Sequence, residues 1–124
     1  MFDHFKFGVS DYAASKAFFV KALRPLGVEA GAEGDPGYGI ELCGPGDVSL
    51  CLFQARVKPA PLHIAFTAET RQAVDDFHRA ALEAGGQDRG VPGLRPQVHA
   101  HCYAACVIGP DGHHIEAVCH APVP

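Results

Sequence analysis

The sequence lacks any apolar run near the roughly 20 residues that a membrane-spanning helix needs. Its first residues, Met1-Phe2-Asp3-His4, carry neither the basic nor the apolar region of a secretion signal. It also lacks a cationic excess: 10 Lys and Arg stand against 14 Asp and Glu, a formal net charge of −4, and the basic residues are scattered. Nothing in that distribution suggests a nucleic-acid or anionic-membrane partner, and the expected location is the cytoplasm. There is no Cys-x-x-Cys pair, and the five cysteines (Cys43, Cys51, Cys102, Cys106, Cys119) are odd in number. Reduced thiols acting as small apolar strand residues are expected rather than a disulfide framework.

What is present is 124 residues of ordinary globular composition, 48% apolar and 19% charged, with room for a single domain over 1–124. Histidine is abundant, and His99, His101, His113, His114 and His120 crowd the last quarter. The stretch Gly109-Pro110-Asp111-Gly112-His113-His114-Ile115-Glu116-Ala117-Val118 stands out. Pro-Asp-Gly is a tight-turn signature, and the apolar runs on either side of it read as a β-hairpin. Glu116 then falls in the middle of an apolar strand, where a carboxylate needs a cation, a metal or hydrogen bonds to compensate it.

Taken in order, Phe2 to Val9 alternates as a half-buried strand, and Ser10 or Asp11 caps a helix running to about Leu23, ended by Pro25 and Gly27. A short strand is expected at 28–30. Tyr38–Cys43 and Val48–Phe53 flank Gly44-Pro45-Gly46-Asp47 as a hairpin. Lys58-Pro59-Ala60-Pro61 is a stiff connector. Beyond it come a strand over Leu62–Ala68, a helix over Thr70–Glu83, a loop over 87–101, and a closing hairpin of Cys102–Ile108 with His113–Cys119.

The two halves match. A shift of 59 sets His4 on His63, Phe7 on Phe66, Phe18 on Phe77 and Gly27 on Gly86. A shift of 65 sets Tyr38 on Tyr103, Gly44-Pro45 on Gly109-Pro110 and Cys51 on Glu116. The fold class is therefore α+β: two βαβββ modules in tandem, about 1–57 and 61–120. Strand alternation places Phe5, Phe7 and Val9 towards a helix, and His4, Lys6 and Gly8 away from it. Ile64, Phe66 and Ala68 likewise oppose His63, Ala65 and Thr67.

Three stretches resemble the vicinal oxygen chelate superfamily, which holds glyoxalases, bleomycin-resistance proteins and extradiol dioxygenases. They are Asp3-His4 with Gly8-Val9-Ser10-Asp11-Tyr12, Leu62-His63-Ile64-Ala65-Phe66, and Asp111-Gly112-His113-His114-Ile115-Glu116. The resemblance implies paired modules whose curved sheets enclose a divalent metal (Zn, Ni, Fe or Mn), with ligands at His4, His63 and Glu116. Glyoxalases carry a fourth ligand, Glu or Gln, where this chain has Cys51. Two His and one carboxylate match the facial set of non-haem iron oxygenases.

The resemblance also implies a lyase, isomerase or dioxygenase acting on a small substrate with neighbouring oxygens, with Glu116 able to shuttle a proton. The alternative is a metal-free binding protein of the bleomycin-resistance type, for which loss of the fourth ligand speaks. Each residue also has an ordinary reading: His4 and His63 satisfied by backbone and water, Glu116 by a nearby His or Lys6, Cys51 as a plain thiol. Lys6 is a candidate for attracting an anionic substrate, Tyr103 either orients substrate or packs, and Arg95 and His99 lie on a long loop of the kind that closes over pockets. A homodimer is expected, with modules pairing within one chain or across two.

Overall fold

The computed structural model describes residues 2–122. Strand β1 (His4–Val9) leads into helix α1 (Tyr12–Leu23), then β2 (Glu29–Glu33), β3 (Ile40–Cys43) and β4 (Ser49–Gln54). The pattern repeats as β5 (His63–Thr67), α2 (Arg71–Glu83), β6 (Gln87–Leu94), β7 (Tyr103–Ile108) and β8 (His114–Cys119). Each half is a four-stranded sheet, ordered β1-β4-β3-β2 and β5-β8-β7-β6. In both, the first strand runs parallel to the last, which carries the central position, while the other pairings are antiparallel.

The registers reproduce the internal repeat. Lys6 lies opposite Cys51, and Ala65 opposite Glu116; His4 faces Ser49, and His63 faces His114. The helix caps repeat too. The Asp11 carboxylate accepts from Ala14 N–H (3.1 Å), and the Thr70 hydroxyl accepts from Ala73 N–H (3.0 Å). Each cap satisfies one backbone donor that a helix start leaves without an intrahelical partner.

Alternation decides what is buried. Phe7 and Val9 of β1, Leu50 and Leu52 of β4, and Ile115 and Ala117 of β8 point to the helix side. They join Phe18, Phe19, Leu23, Val74 and Phe77 in one core cluster shared by both halves. A fully buried Phe or Leu contributes roughly 1.5–3 kcal/mol relative to exposure, so this face dominates the stability. The modules meet through α1, α2 and the short turns beside them, and no strand of one sheet pairs with a strand of the other among the described residues.

Residues 87–101 are not all loop: 87–94 form β6, although Gly90, Pro92 and Gly93 argue against a strand. The strand is tolerated because it is an outer edge, with register shifts between Asp88 and Gly90 and between Gly90 and Gly93. The second strand also runs later than expected, over Glu29–Glu33. It is tied to α1 by the Tyr12 hydroxyl and the Lys16 ammonium, both donating to Glu33 (2.6 and 2.7 Å). Burial and the bond to Glu33 push the Tyr12 phenol up to about 12. The Pro-Asp-Gly turn is one turn of 3-10 helix (Pro110–Gly112), with Asp111 in the left-handed region at φ 62°.

That turn carries a junction between modules. The Asp111 carboxylate accepts from the Ser10 backbone N–H (3.0 Å) and from the Ser10 hydroxyl. Next to it, His113 is fully buried. Its ring lies edge-on to Phe7 of the first module (centroids 5.3 Å apart). Its Nδ1 accepts from Leu62 N–H at 2.9 Å, so the proton of the neutral ring is assigned to Nε2, which has no partner among the described residues.

Burial lowers the His113 pKa, and the Asp111 charge only partly opposes that shift. A base whose folded pKa lies below its unfolded value contributes stability that is fully present above the unfolded value, about 6.5, and declines as pH falls towards the folded one. The urea midpoint of the wild type should therefore drop on acidification below about pH 6.5 more steeply than that of His113→Asn, which retains an acceptor. Equal slopes in the two proteins would exclude His113 as the source.

Candidate functional site

With one face of each sheet under a helix, the opposite faces are left open, and the histidines of β1 and β5 lie on them. On the second module this face carries His63 of β5, His114 and Glu116 of β8, and Cys106 of β7. Cys106 pairs across the strands with Glu116. His63 Nε2 stands 3.5 Å from Glu116 Oε1, and the His63 ring lies 5.7 Å from that of His114 at an interplanar angle of 29°. Burial, then the Glu116 charge, pushes the Cys106 thiol up, which keeps it protonated and weakens it as a metal ligand.

On the first module the open face carries His4, Lys6, Cys51, Phe53 and Glu41, in register across β1, β4 and β3. His4 Nδ1 is 2.6 Å from Asp3 Oδ1. Cys43 donates to Glu41 (3.5 Å), and burial together with that carboxylate pushes its thiol up. All five cysteines are free.

Two donors sharing one ion at bonds of about 2.0–2.2 Å and a tetrahedral angle stand roughly 3.4 Å apart. The His63–Glu116 pair fits that requirement. His4 does not join it: among the described residues, no group of three His, Cys, Asp or Glu side chains is placed to hold an ion. His4 belongs to the other sheet, and among the described residues the edges β1 and β5 do not pair with each other. One chain thus presents two of the three donors together and the third apart from them.

The other sequence candidates sit elsewhere. Tyr103 lies on the helix face of β7, where its hydroxyl donates to Asp75 of α2 (2.7 Å) beneath the Arg71 guanidinium. Arg95 folds back on β6 and donates to Val91 O (2.8 Å) and Leu94 O (3.4 Å). His99 accepts from His101 N–H (3.1 Å), and its ring packs beside His101 and His120. All three are held by contacts within their own module. A cavity of about 690 Å³ runs along β5, lined by His63, Ile64, Phe66, Phe5, Leu42 and Leu50 among others. Sequence reasoning assigned no role to His114, Tyr38 or Phe53; counting alternate residues back from Glu116 sets His114 on the same open face.

The architecture is that of a tandem βαβββ protein whose open sheet faces carry the polar side chains. The chain belongs to the glyoxalase/bleomycin resistance protein/dioxygenase superfamily, whose family model matches residues 1–117. A glyoxalase/bleomycin resistance protein from Albidiferax ferrireducens T118 superposes with a TM-score of 0.82 at 27% identity, covering 98% of this chain and 99% of that one. The oxidase ChaP-H2 is similar at 25% identity and TM-score 0.72, over 98% of this chain and 94% of that one. A glyoxalase-related enzyme from Fulvimarina pelagi shares the fold at 17% identity and TM-score 0.74, over 96% and 87%. No curated protein matches the chain in sequence. No helix among the described residues is long and apolar enough to cross a membrane.

Placing Tyr103 on the helix side has a measurable consequence. Tyr103→Phe removes one hydrogen bond to Asp75 and should lower stability by about 0.5–1.5 kcal/mol in urea unfolding. Metal or ligand binding at the open faces should be unchanged; a variant of wild-type stability with impaired binding would return Tyr103 to the site.

Proposed function

We propose that this protein is a metal-dependent enzyme of the lyase, isomerase or dioxygenase type, acting on a small substrate with two neighbouring oxygens. The observation that carries the reading is the His63–Glu116 pair, set at the spacing of two ligands of one ion on an open sheet face. His63 and Glu116 hold a divalent ion (Zn, Ni, Fe or Mn), with His4 as the third ligand and Cys51 available as a fourth. Bound there, the ion supplies Lewis-acid polarisation of the two substrate oxygens. Glu116 has a second role: the carboxylate oxygen left free of the ion takes a proton from the substrate and returns it.

His4 reaches the pair from a second copy of the chain. The backbone groups of β1 at His4, Lys6 and Gly8, and those of β5 at His63, Ala65 and Thr67, point away from their own sheets. Phe2 and Phe5 are exposed beside them, at 64% and 43%. Edge strands with unpaired donors and acceptors invite pairing, and a two-fold dimer satisfies both edges at once. The site is then shared, each copy giving His4 to one centre and His63 with Glu116 to the other.

A second reading rests on the cavity along β5. A metal-free binding protein needs no third donor, only a concave apolar site such as this one.

Metal analysis of protein purified without chelator should find near-stoichiometric ion in the wild type and little in Glu116→Ala or His4→Ala. Refolding the two variants together should restore about a quarter of the wild-type metal, because half of the pairs are mixed and each mixed pair regains one intact centre. No restoration, with a mass near 13.1 kDa in solution, would exclude the shared site. Negligible metal in wild type and variant alike would favour the binding protein.

A further inference from the structure

Lys6 has surroundings that differ from those of Lys16 and Lys21, the two helix lysines of the same module. Its Nζ lies 4.9 Å from the ring centroid of Tyr38 and 5.4 Å from that of Phe53. The Lys16 and Lys21 ammoniums each meet a carboxylate, at 2.7 and 3.5 Å. Lys6 meets none among the described residues, and its three N–H donors have no protein acceptor there. A ring face attracts a cation without consuming its hydrogen-bond donors.

The arrangement is built into the local fold. A Cβ on Gly8 would come within 2.8 Å of the Ala55 Cβ and 3.2 Å of the Phe53 ring, so the bare backbone at Gly8 lets that ring lie across β1. Tyr38 is set by the turn before β3, where the Asp35 carboxylate accepts its N–H (3.0 Å), and the residue remains 66% exposed. In the second module the position of Lys6 is taken by Ala65, opposite Glu116, so only the first module carries the cation.

We infer that Lys6, Tyr38 and Phe53 form a subsite for the anionic group of a planar, ring-bearing substrate, with the carboxylate accepting from the Lys6 ammonium and the ring lying against Tyr38. Alternate residues on a strand stand roughly 6.6–6.8 Å apart on one face, so this subsite lies one substrate's length from His4. The inference deepens the function proposed above and rests on it only for placing substrate over this face.

Calorimetric titration with 3,4-dihydroxybenzoate and with 3,4-dihydroxybenzamide isolates the charge, since both carry two neighbouring hydroxyl oxygens on the ring and differ only in the group at its far end. The wild type should bind the anion about tenfold more tightly or better, the scale of one charge-assisted hydrogen bond. Lys6→Met should abolish that preference while its metal content matches the wild type, Lys6→Arg should keep it, and Tyr38→Ala should weaken binding of the anion. Equal affinities in the wild type, or a preference that survives in Lys6→Met, would overturn the subsite. An intact preference in a protein that holds no metal would overturn the metal reading and leave the subsite standing.

Discussion

Each sheet in this protein must bury one face under its own helix, and everything else follows from that requirement. The strands alternate, so burying Phe7, Val9, Leu50 and Leu52 turns His4, Lys6, Cys51 and Phe53 outward. In the second half, burying Ile115 and Ala117 turns His114 and Glu116 outward in the same way. The chemistry-bearing side chains share a surface because the apolar ones share the other. The core is common to both modules, but the open faces are not: the helices provide the joint within the chain, and β1 and β5 are left as free edges.

The joint is more than apolar packing. Asp111, held in a left-handed conformation, accepts two bonds from Ser10 at the start of α1, and His113 ties the connector to the same turn while resting on Phe7. The Pro-Asp-Gly turn is therefore where the second module grips the first. A dead-end hydrogen at His113 Nε2, facing apolar surroundings, marks this as a site where packing has been favoured over polar satisfaction.

Much of this was legible in the residues. The repeat at offsets of 59 and 65 and the alternation in β1 and β5 are local signals, and the strand registers reproduce them; the Asp11 cap was legible too, whereas Thr70, expected inside the second helix, is its cap. Strand β6 was not legible, because Gly90, Pro92 and Gly93 read as loop chemistry and only an edge position with bulges accommodates them. Tyr103 was ambiguous for a different reason: β7 is apolar on both sides, so alternation alone does not say which face meets α2. The separation of His4 from His63 and Glu116 was beyond reach as well. Which edges pair is settled by how two modules dock, and nothing periodic in either module encodes that. The family resemblance implied a ligand set but left open how many chains would assemble it.

The register equates Cys51 with Glu116 and Lys6 with Ala65, on a backbone that is otherwise the same twice over. None of these four side chains belongs to the buried core. Exchanges at such positions usually shift folding free energy by no more than about 0.5 kcal/mol. A duplicated scaffold of this kind carries a spare copy of its own working surface. One half carries a thiol and an amine where its twin carries an acid and a methyl group, so the two open faces differ in chemistry without the architecture being put at risk.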